Sequence, residues 1–340
     1  MKKLFVSIIS VLLSATLSAS VQQKDPFMTR SFPASSVKSV EATTSGGSIT
    51  VSGDAVSEAV VEVYASHGKW SDERIRQTLE ENYTFEIKVE GGKLYVAGKQ
   101  KNWITNWNQQ GLNISFKITV PEHVNSQLQT SGGSIRIDNL SGTQDFKTSG
   151  GSLTVENVSG NISGVTSGGS ITITNSKDNI DLKTSGGSIT ARDCSGKINM
   201  RTSGGSIRMN GLNGNIEAST SGGSIRANSI SGALKTGTSG GSVTLDGISG
   251  SVDAKTSGGS MNVTMESVNE YVKLSNSGKV NLTLPASKGY HLKVKAYKIE
   301  TTGLKEFRGD MESSKLEGTT GNGGPQVEIS TSQRVNLTFK

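Results

Sequence analysis

The sequence predicts an all-β chain wound as a single-stranded β-solenoid, a β-helix of right-handed sense. Its coils have a period of eighteen positions, and an N-terminal insertion carries one short helix. Three observations carry this expectation. The pentapeptide TSGGS starts at Thr130, Thr148, Thr166, Thr184, Thr202, Thr220, Thr238 and Thr256, always at the same interval, and a further copy stands at Thr44–Ser48. A period this regular marks a repeat architecture and has to be read before any motif. Within it, apolar residues alternate in two places. With the Thr as position 0, position 5 holds Ile135, Leu153 and Ile171, position 7 Ile137, Val155 and Ile173, position 14 Ile162, Ile180 and Ile198, and position 16 Phe146, Leu182 and Met200. Period two is the mark of strands with one buried face. The glycines are periodic as well: 18 of the 42 lie in the nine TSGG units, which speaks for corners and against a low-complexity tail.

Met1 to Ser20 reads as a secretory signal peptide, cleaved near Ala19/Ser20. Lys2 and Lys3 precede an apolar run over Leu4–Leu13 and small residues at Ser18–Ser20. The run is too short to span a bilayer, and no second one follows, so no transmembrane segment is expected after processing. Residues 21–36, with Pro26 and Pro33, form a leader. Residues 37–129 hold the early coil and the insertion. Two strands flank Thr44–Ser48, and Ala59–Tyr64 is rich in β-branched residues. Ser71 caps a helix running to Glu81, with Asp72 and Glu73 at its positive end and Ile75 and Leu79 on one face. Tyr83–Val89 and Lys93–Ala97 form a hairpin over Gly91-Gly92. Residues 99–111 are a polar, basic loop, and Leu112–Val120 is a strand ended by Pro121.

Residues 130–273 are the regular solenoid. Its corners are assigned to Gly132, Gly133, Gly150, Gly151, Gly168, Gly169, Gly186, Gly187, Gly204, Gly205, Gly222, Gly223, Gly240, Gly241, Gly258 and Gly259, expected to turn the chain with φ > 0. Asn139, Asn157, Asn175 and Asp193 at position 9 suggest a partial amide ladder. Eight coils stacked at strand spacing make a rod of roughly 35 Å. A hexapeptide-type coil has the same period, but it needs an apolar residue at every sixth position, and the positions found here do not fit. Residues 274–340 are irregular coils that cap the end. Strands are expected at Val280–Leu284, 291–297 and Gln326–Phe339, with loop over 303–324.

Little points to chemistry. The formal net charge falls from +6 to +4 when Lys2 and Lys3 are removed, which implies no nucleic-acid partner. Cys194, the single cysteine, stands at position 10, where other coils carry Leu, Val or Ile, and reads as a small core residue. His67, His123 and His291 are scattered, position 8 is no acidic row, and no catalytic, metal or cofactor site is expected. The acids at position 15 (Asp145, Asp181, Glu217, Asp253) alternate with Ser163, Asn199 and Lys235, a solvated mixed face beside a basic row (Lys147, Lys183, Arg201, Lys255, Lys273). Trp103 and Trp107, with Lys99 and Lys101, are the candidate ligand contacts, since indoles in a polar loop stack on sugar rings or sit at a membrane surface. The competing expectation is that they cover an end of the solenoid. Arg308-Gly309-Asp310 lies in a predicted loop and is a short match of the kind chance supplies.

TSGGSITV at Thr44–Val51, WSDERI at Trp70–Ile75, LNISFKITVPEHV at Leu112–Val124 and the TSGGSI ladder resemble a family of exported bacterial β-strand-repeat proteins, the adhesin-like or toastrack family. The likeness covers about residues 37–340. It implies a non-enzymatic β-solenoid of the cell envelope, an adhesin or binding scaffold, whose partner is an envelope or host glycan or a membrane protein. It transfers no binding residues. The alternatives are a glycan-active β-helix enzyme and an envelope-stress sensor partnered with a membrane protein.

Overall fold

The computed structural model describes residues 25–101 and 111–340. Among them, 27 strands join in one hydrogen-bonded sheet wound into a solenoid, with one α-helix, Asp72–Asn82, outside it. The expected coil is present. Leu153–Glu156 lies parallel between Ile135–Asp138 and Ile171–Thr174, each residue facing its counterpart one period away. Ser159–Thr166 does the same between Ser141–Thr148 and Lys177–Thr184. The alternating apolar columns point inward and are buried, as at Ile171, Ile173, Ile180 and Leu182. Each such side chain contributes about 1.5–3 kcal/mol on leaving water.

The TSGGS corner is a hydrogen-bond device. The buried hydroxyl of Thr166 donates to the Gly151 carbonyl of the preceding coil at 2.8 Å and accepts the N–H of its own Gly169 at 3.2 Å. The same pair of bonds recurs at Thr148, Thr184, Thr202, Thr220 and Thr238. From Ser48 to Ser224 the last Ser of the motif accepts from the next coil, as where Ser170 N donates to Ser152 Oγ at 3.3 Å. The buried Thr hydroxyls of these six corners are thereby satisfied as both donor and acceptor.

The role expected for the corner glycines is corrected. None of the TSGG glycines from Gly132 to Gly259 has a left-handed φ. The second glycine of each pair is needed because coils approach so closely there. A Cβ on Gly205 would lie 2.0 Å from the Gly187 carbonyl oxygen, whereas one on Gly204 would lie 3.4 Å from its nearest neighbour. Left-handed backbone is instead found at the opposite corner. Position 9 has φ of 55° at Asn139 and Asn157, 50° at Asn175, 51° at Asp193 and 54° at Ser229. Position 12 has φ of 112° at Gly142, 105° at Gly160 and 84° at Asp178. Asn and Asp tolerate that region better than most residues, which accounts for the position-9 column. Among the described residues its amide ladder is a single bond, Asn157 Nδ2 to Asn139 Oδ1 at 3.0 Å.

Both ends depart from chain order. Ser39–Thr43 pairs with Asn125–Gln129 on one side and Lys93–Gln100 on the other. Ile49–Gly53 likewise lies between Ile135–Asp138 and Asn113–Val120. The Thr44 coil is therefore not at the tip, and strands of the insertion cover it from outside. The Thr ladder crosses the long gap between Thr44 and Thr130 without a break: Thr130 Oγ1 donates to Gly47 O at 2.9 Å and Thr44 Oγ1 to Ile114 O at 2.7 Å. At the far end Gln326–Thr331 and Arg334–Phe339 slot between the coil ending at Leu284 and the pair His291–Lys295 and Lys298–Thr302. Thr331 Oγ1 donates to Gly278 O at 2.6 Å, so the last coil in the chain keeps the corner bond.

Several boundaries change. The expected leader contains a strand, Met28–Pro33, antiparallel to Glu58–Ser66, with Met28 and Phe32 packed against the core. Gln326–Phe339 is two strands around a corner. The loop expected over 303–324 holds a hairpin, Phe307–Met311 with Lys315–Thr320, and this places Arg308-Gly309-Asp310 on a strand. Bulges in Met261–Asn276 move Lys273 out of the basic row and opposite Asp253.

Candidate functional site at the N-terminal tip

The outermost N-terminal layer is assembled by the helix. Ser71 Oγ accepts the Arg74 N–H at 3.4 Å, Asp72 and Glu73 occupy the first turn, and Ile75 and Leu79 bury against the core. Trp70 beside it is committed to packing, stacked on His67 at 4.1 Å and covered by the Arg74 guanidinium at 4.1 Å. The chain leaves the helix directly into Tyr83–Glu90, which pairs antiparallel with Lys93–Gln100. The Tyr83 hydroxyl accepts the Leu112 N–H at 3.0 Å, tying this hairpin to the strand Asn113–Val120.

A cleft of about 700 Å³ opens where this layer meets the Thr44 corner. Glu41, Tyr83, Glu86, Tyr95, Lys99 and Asn113 supply its chemistry, and Ala97 and Gly98 keep it open. A Cβ on Gly98 would touch Ile114 and Phe85 at 3.3 Å. Strand alternation sends Val96 inward and leaves Tyr95, Ala97 and Lys99 on the outer face. The rim is charged on both sides. Lys93 Nζ meets Glu41 at 3.0 Å, and the Lys88 and Lys93 ammonium groups stand 5.7 and 5.4 Å from the Tyr95 ring. Lys88, and after it Lys99, hold the Glu86 carboxyl below its ordinary pKa. The arrangement offers aromatic surface, fixed acceptors and amide and amine donors, the set that recognises a polar ligand with a flat face.

Of the residues singled out from sequence, Trp103 and Trp107 lie outside the described residues. They belong to the segment that joins Lys101 to Gly111, and Gly111 lines the cleft. Lys99 is on a strand rather than in a loop and pairs with Glu86 at 3.5 Å. Lys101 does not face the cleft: its Nζ donates to the Glu80 carbonyl at 2.8 Å, neutralising the helix C-terminus. Tyr83, Tyr95, Glu41 and Asn113 were not anticipated. They come from four separate segments, and their one local signal is the outward phase of each strand.

The remaining candidates are structural. His123 bonds Ser141, His291 bonds Thr319 at 3.2 Å, and His67 packs on Trp70. Among the described residues, no three of His, Cys, Asp and Glu are grouped as metal ligands. Cys194 is buried, its Sγ donates to Arg192 O at 3.1 Å, and burial pushes the thiol pKa up, away from nucleophilic use. The mixed face at position 15 becomes an alternating charge ladder once spatial order replaces chain order. Glu217, Lys235, Asp253, Lys273, Glu328, Lys293 and Glu317 stand opposite one another in turn.

Fold and tip together define a capped β-solenoid with a polar cleft at one end. The chain belongs to the Toastrack DUF4097 family, whose model matches residues 55–333. It is similar to the crystal structure of a "putative cell adhesion protein" from Clostridium sporogenes, at 9% identity over 92% of this chain and 98% of that one, with a TM-score of 0.19. It is also similar to a "putative adhesin" from Bacteroides fragilis, at 16% identity over 75% of this chain and 95% of that one, with a TM-score of 0.33. No curated protein matches it. No helix among the described residues is long and apolar enough to cross a membrane.

Proposed function

We propose that the protein is an exported, non-enzymatic scaffold of the cell envelope that binds a partner through its N-terminal cleft. The observation that carries this is the convergence of Tyr83, Tyr95, Glu41 and Asn113 at the tip of the rod. The signal-like N-terminus supports the export part of this reading. A glycan-cleaving face is less well supported. Asp181 is held by Lys183 at 2.6 Å and Asn199 at 2.6 Å, and Lys235 stands 3.8 Å from Glu217, so these carboxylates are engaged in the ladder.

The test is a binding screen of the chain from residue 21 onward against envelope glycans and detergent-solubilised envelope proteins, with Tyr95→Ala and Asn113→Ala as probes. Binding is expected to weaken at least tenfold, about 1.4 kcal/mol, in either variant with unchanged melting. Full-strength binding by both variants would remove the cleft as the site. Fractionation of cells would place the protein outside the cytoplasm, and cytoplasmic retention would end the envelope role.

A further inference from the structure

Three arginines on successive coils gather on one face of the array without carboxylate partners. Arg208 and Arg226, both at position 6, face each other in register. Arg192, at position 8 of the preceding coil, is in register with Asn210. Strand spacing puts the Arg208 and Arg226 backbones only ~4.8 Å apart. All three side chains are exposed, and among the described residues none of the three guanidinium groups has an ion pair or hydrogen bond.

Other like-charged neighbours on the sheet have a counter-charge within reach: Lys183 and Arg201 also stand opposite each other, but Lys183 has Asp181 at 2.6 Å and Arg201 has Glu217 at 3.9 Å. Like charges directly opposite on a sheet are destabilising. Arg136, in the same position-6 column, sits 2.7 Å from Glu156 and 3.4 Å from Asp138. The position-15 column alternates sign from Glu217 through to Glu317. Arginine is not needed to build position 6 either, since Thr154, Thr172, Thr190 and Thr244 occupy it in other coils. The cluster therefore works against stability and does nothing for the ladder.

Its surroundings indicate what it meets. The amides of Asn210 and Asn228 are bonded to each other at 3.2 Å beside the arginines, and Thr190 stands opposite Arg208 on the preceding coil. Asp193 and Asp246 flank the patch, and Asp193 lies over Gly211, whose added Cβ would be 2.4 Å from its Oδ1. The face is flat and polar. Among the described residues the exposed large hydrophobic ones, Tyr297 and Met311, belong to the C-terminal end. Guanidinium groups bind oxyanions through paired N–H donors, and amides and hydroxyls bond sugar hydroxyls. A membrane would call for apolar side chains here, and bases for aromatic ones.

We propose that the Arg192–Arg208–Arg226 face binds an anionic polysaccharide, a sugar chain bearing carboxylate, sulfate or phosphate groups and laid along the rod axis. This surface is distinct from the cleft and stands whether or not the cleft binds anything.

The experiment compares the full processed chain with its R192T/R208T/R226T variant, each position receiving a residue that other coils carry there. Binding to dextran sulfate and to alginate is measured by calorimetry and by salt elution from a dextran sulfate column. The variant should bind at least tenfold more weakly and elute at lower salt, while its melting temperature stays level or rises. Arg136→Thr should leave both polymers bound as before. Equal binding by wild type and triple variant would overturn the proposal. So would a drop in the variant's melting temperature, which would make the arginines structural. Tighter binding of the wild type to phosphatidylglycerol vesicles or duplex DNA than to either polysaccharide would overturn the ligand class.

Discussion

Between Thr130 and Thr256 the order of coils in space is their order in the chain, and at either end it is not. In the middle, each coil stacks on the one immediately before it in sequence. At the start, the Thr44 coil is overlaid by Lys93–Gln100 and Asn113–Val120. At the finish, the last two strands of the chain are overlaid by His291–Lys295 and Lys298–Thr302. Outside these layers lie antiparallel strands, Tyr83–Glu90 at one tip and Lys315–Thr320 at the other. A bare parallel layer would offer unpaired N–H and C=O groups to any passing strand. Repetition thus builds the length of the rod, and the irregular segments close it.

Three experiments press on this contrast. The largest effect is expected from ending the chain after Pro325. That removes the buried Val327, Ile329, Val335, Leu337 and Phe339, a loss on the order of 10 kcal/mol. Hydrogen exchange should then show His291–Thr302 unprotected while the coils from Thr130 to Thr238 stay protected. Protection of His291–Thr302 in the truncated chain would mean that this layer can dock directly on Tyr271–Leu284, and that order at the end is not fixed. Next comes the corner of the array. Gly205→Ala should cost about 3 kcal/mol or more, since its Cβ would sit 2.0 Å from the Gly187 carbonyl oxygen. Gly204→Ala should cost less than about 1 kcal/mol. Equal costs in urea denaturation would show that coil-to-coil approach is not what selects glycine. The smallest effect is a gain. Ser229 holds φ of 54° in a column where Gly211 and Gly247 also occur, so Ser229→Gly should add about 1 kcal/mol. No gain would indicate that this corner tolerates serine without strain.

The solenoid was legible because its period and alternation are local. Ile171 and Ile173 lie on one face of one strand, and one period later Ile189 and Ala191 return to the same face. The reason for the glycines was not legible. A left-handed turn and a close approach between layers both select glycine, and only the neighbouring carbonyl distinguishes them. The ends were illegible for a different reason. Nothing near Gln326 announces that it will enter between two earlier segments, and nothing near Lys93 says that it will cover Thr44. The same holds for the cleft and for the alternating charges. Glu41, Tyr83, Tyr95 and Asn113, or Lys273, Glu328 and Lys293, become neighbours only after the layers are reordered. The partner of Lys101, the Glu80 carbonyl, was illegible as well, because it lies in the preceding helix.

Because the Thr44 coil and the Gln326–Phe339 coil are each covered by their own terminal layers, the caps are fastened to the rod independently of how many coils lie between them. Duplicating or removing one whole repeat unit anywhere from Thr148 to Thr238 would change the length by about 4.8 Å and leave both tips as they are. The distance between the N-terminal cleft and the opposite tip is therefore a ruler that a single in-frame event in the gene can reset.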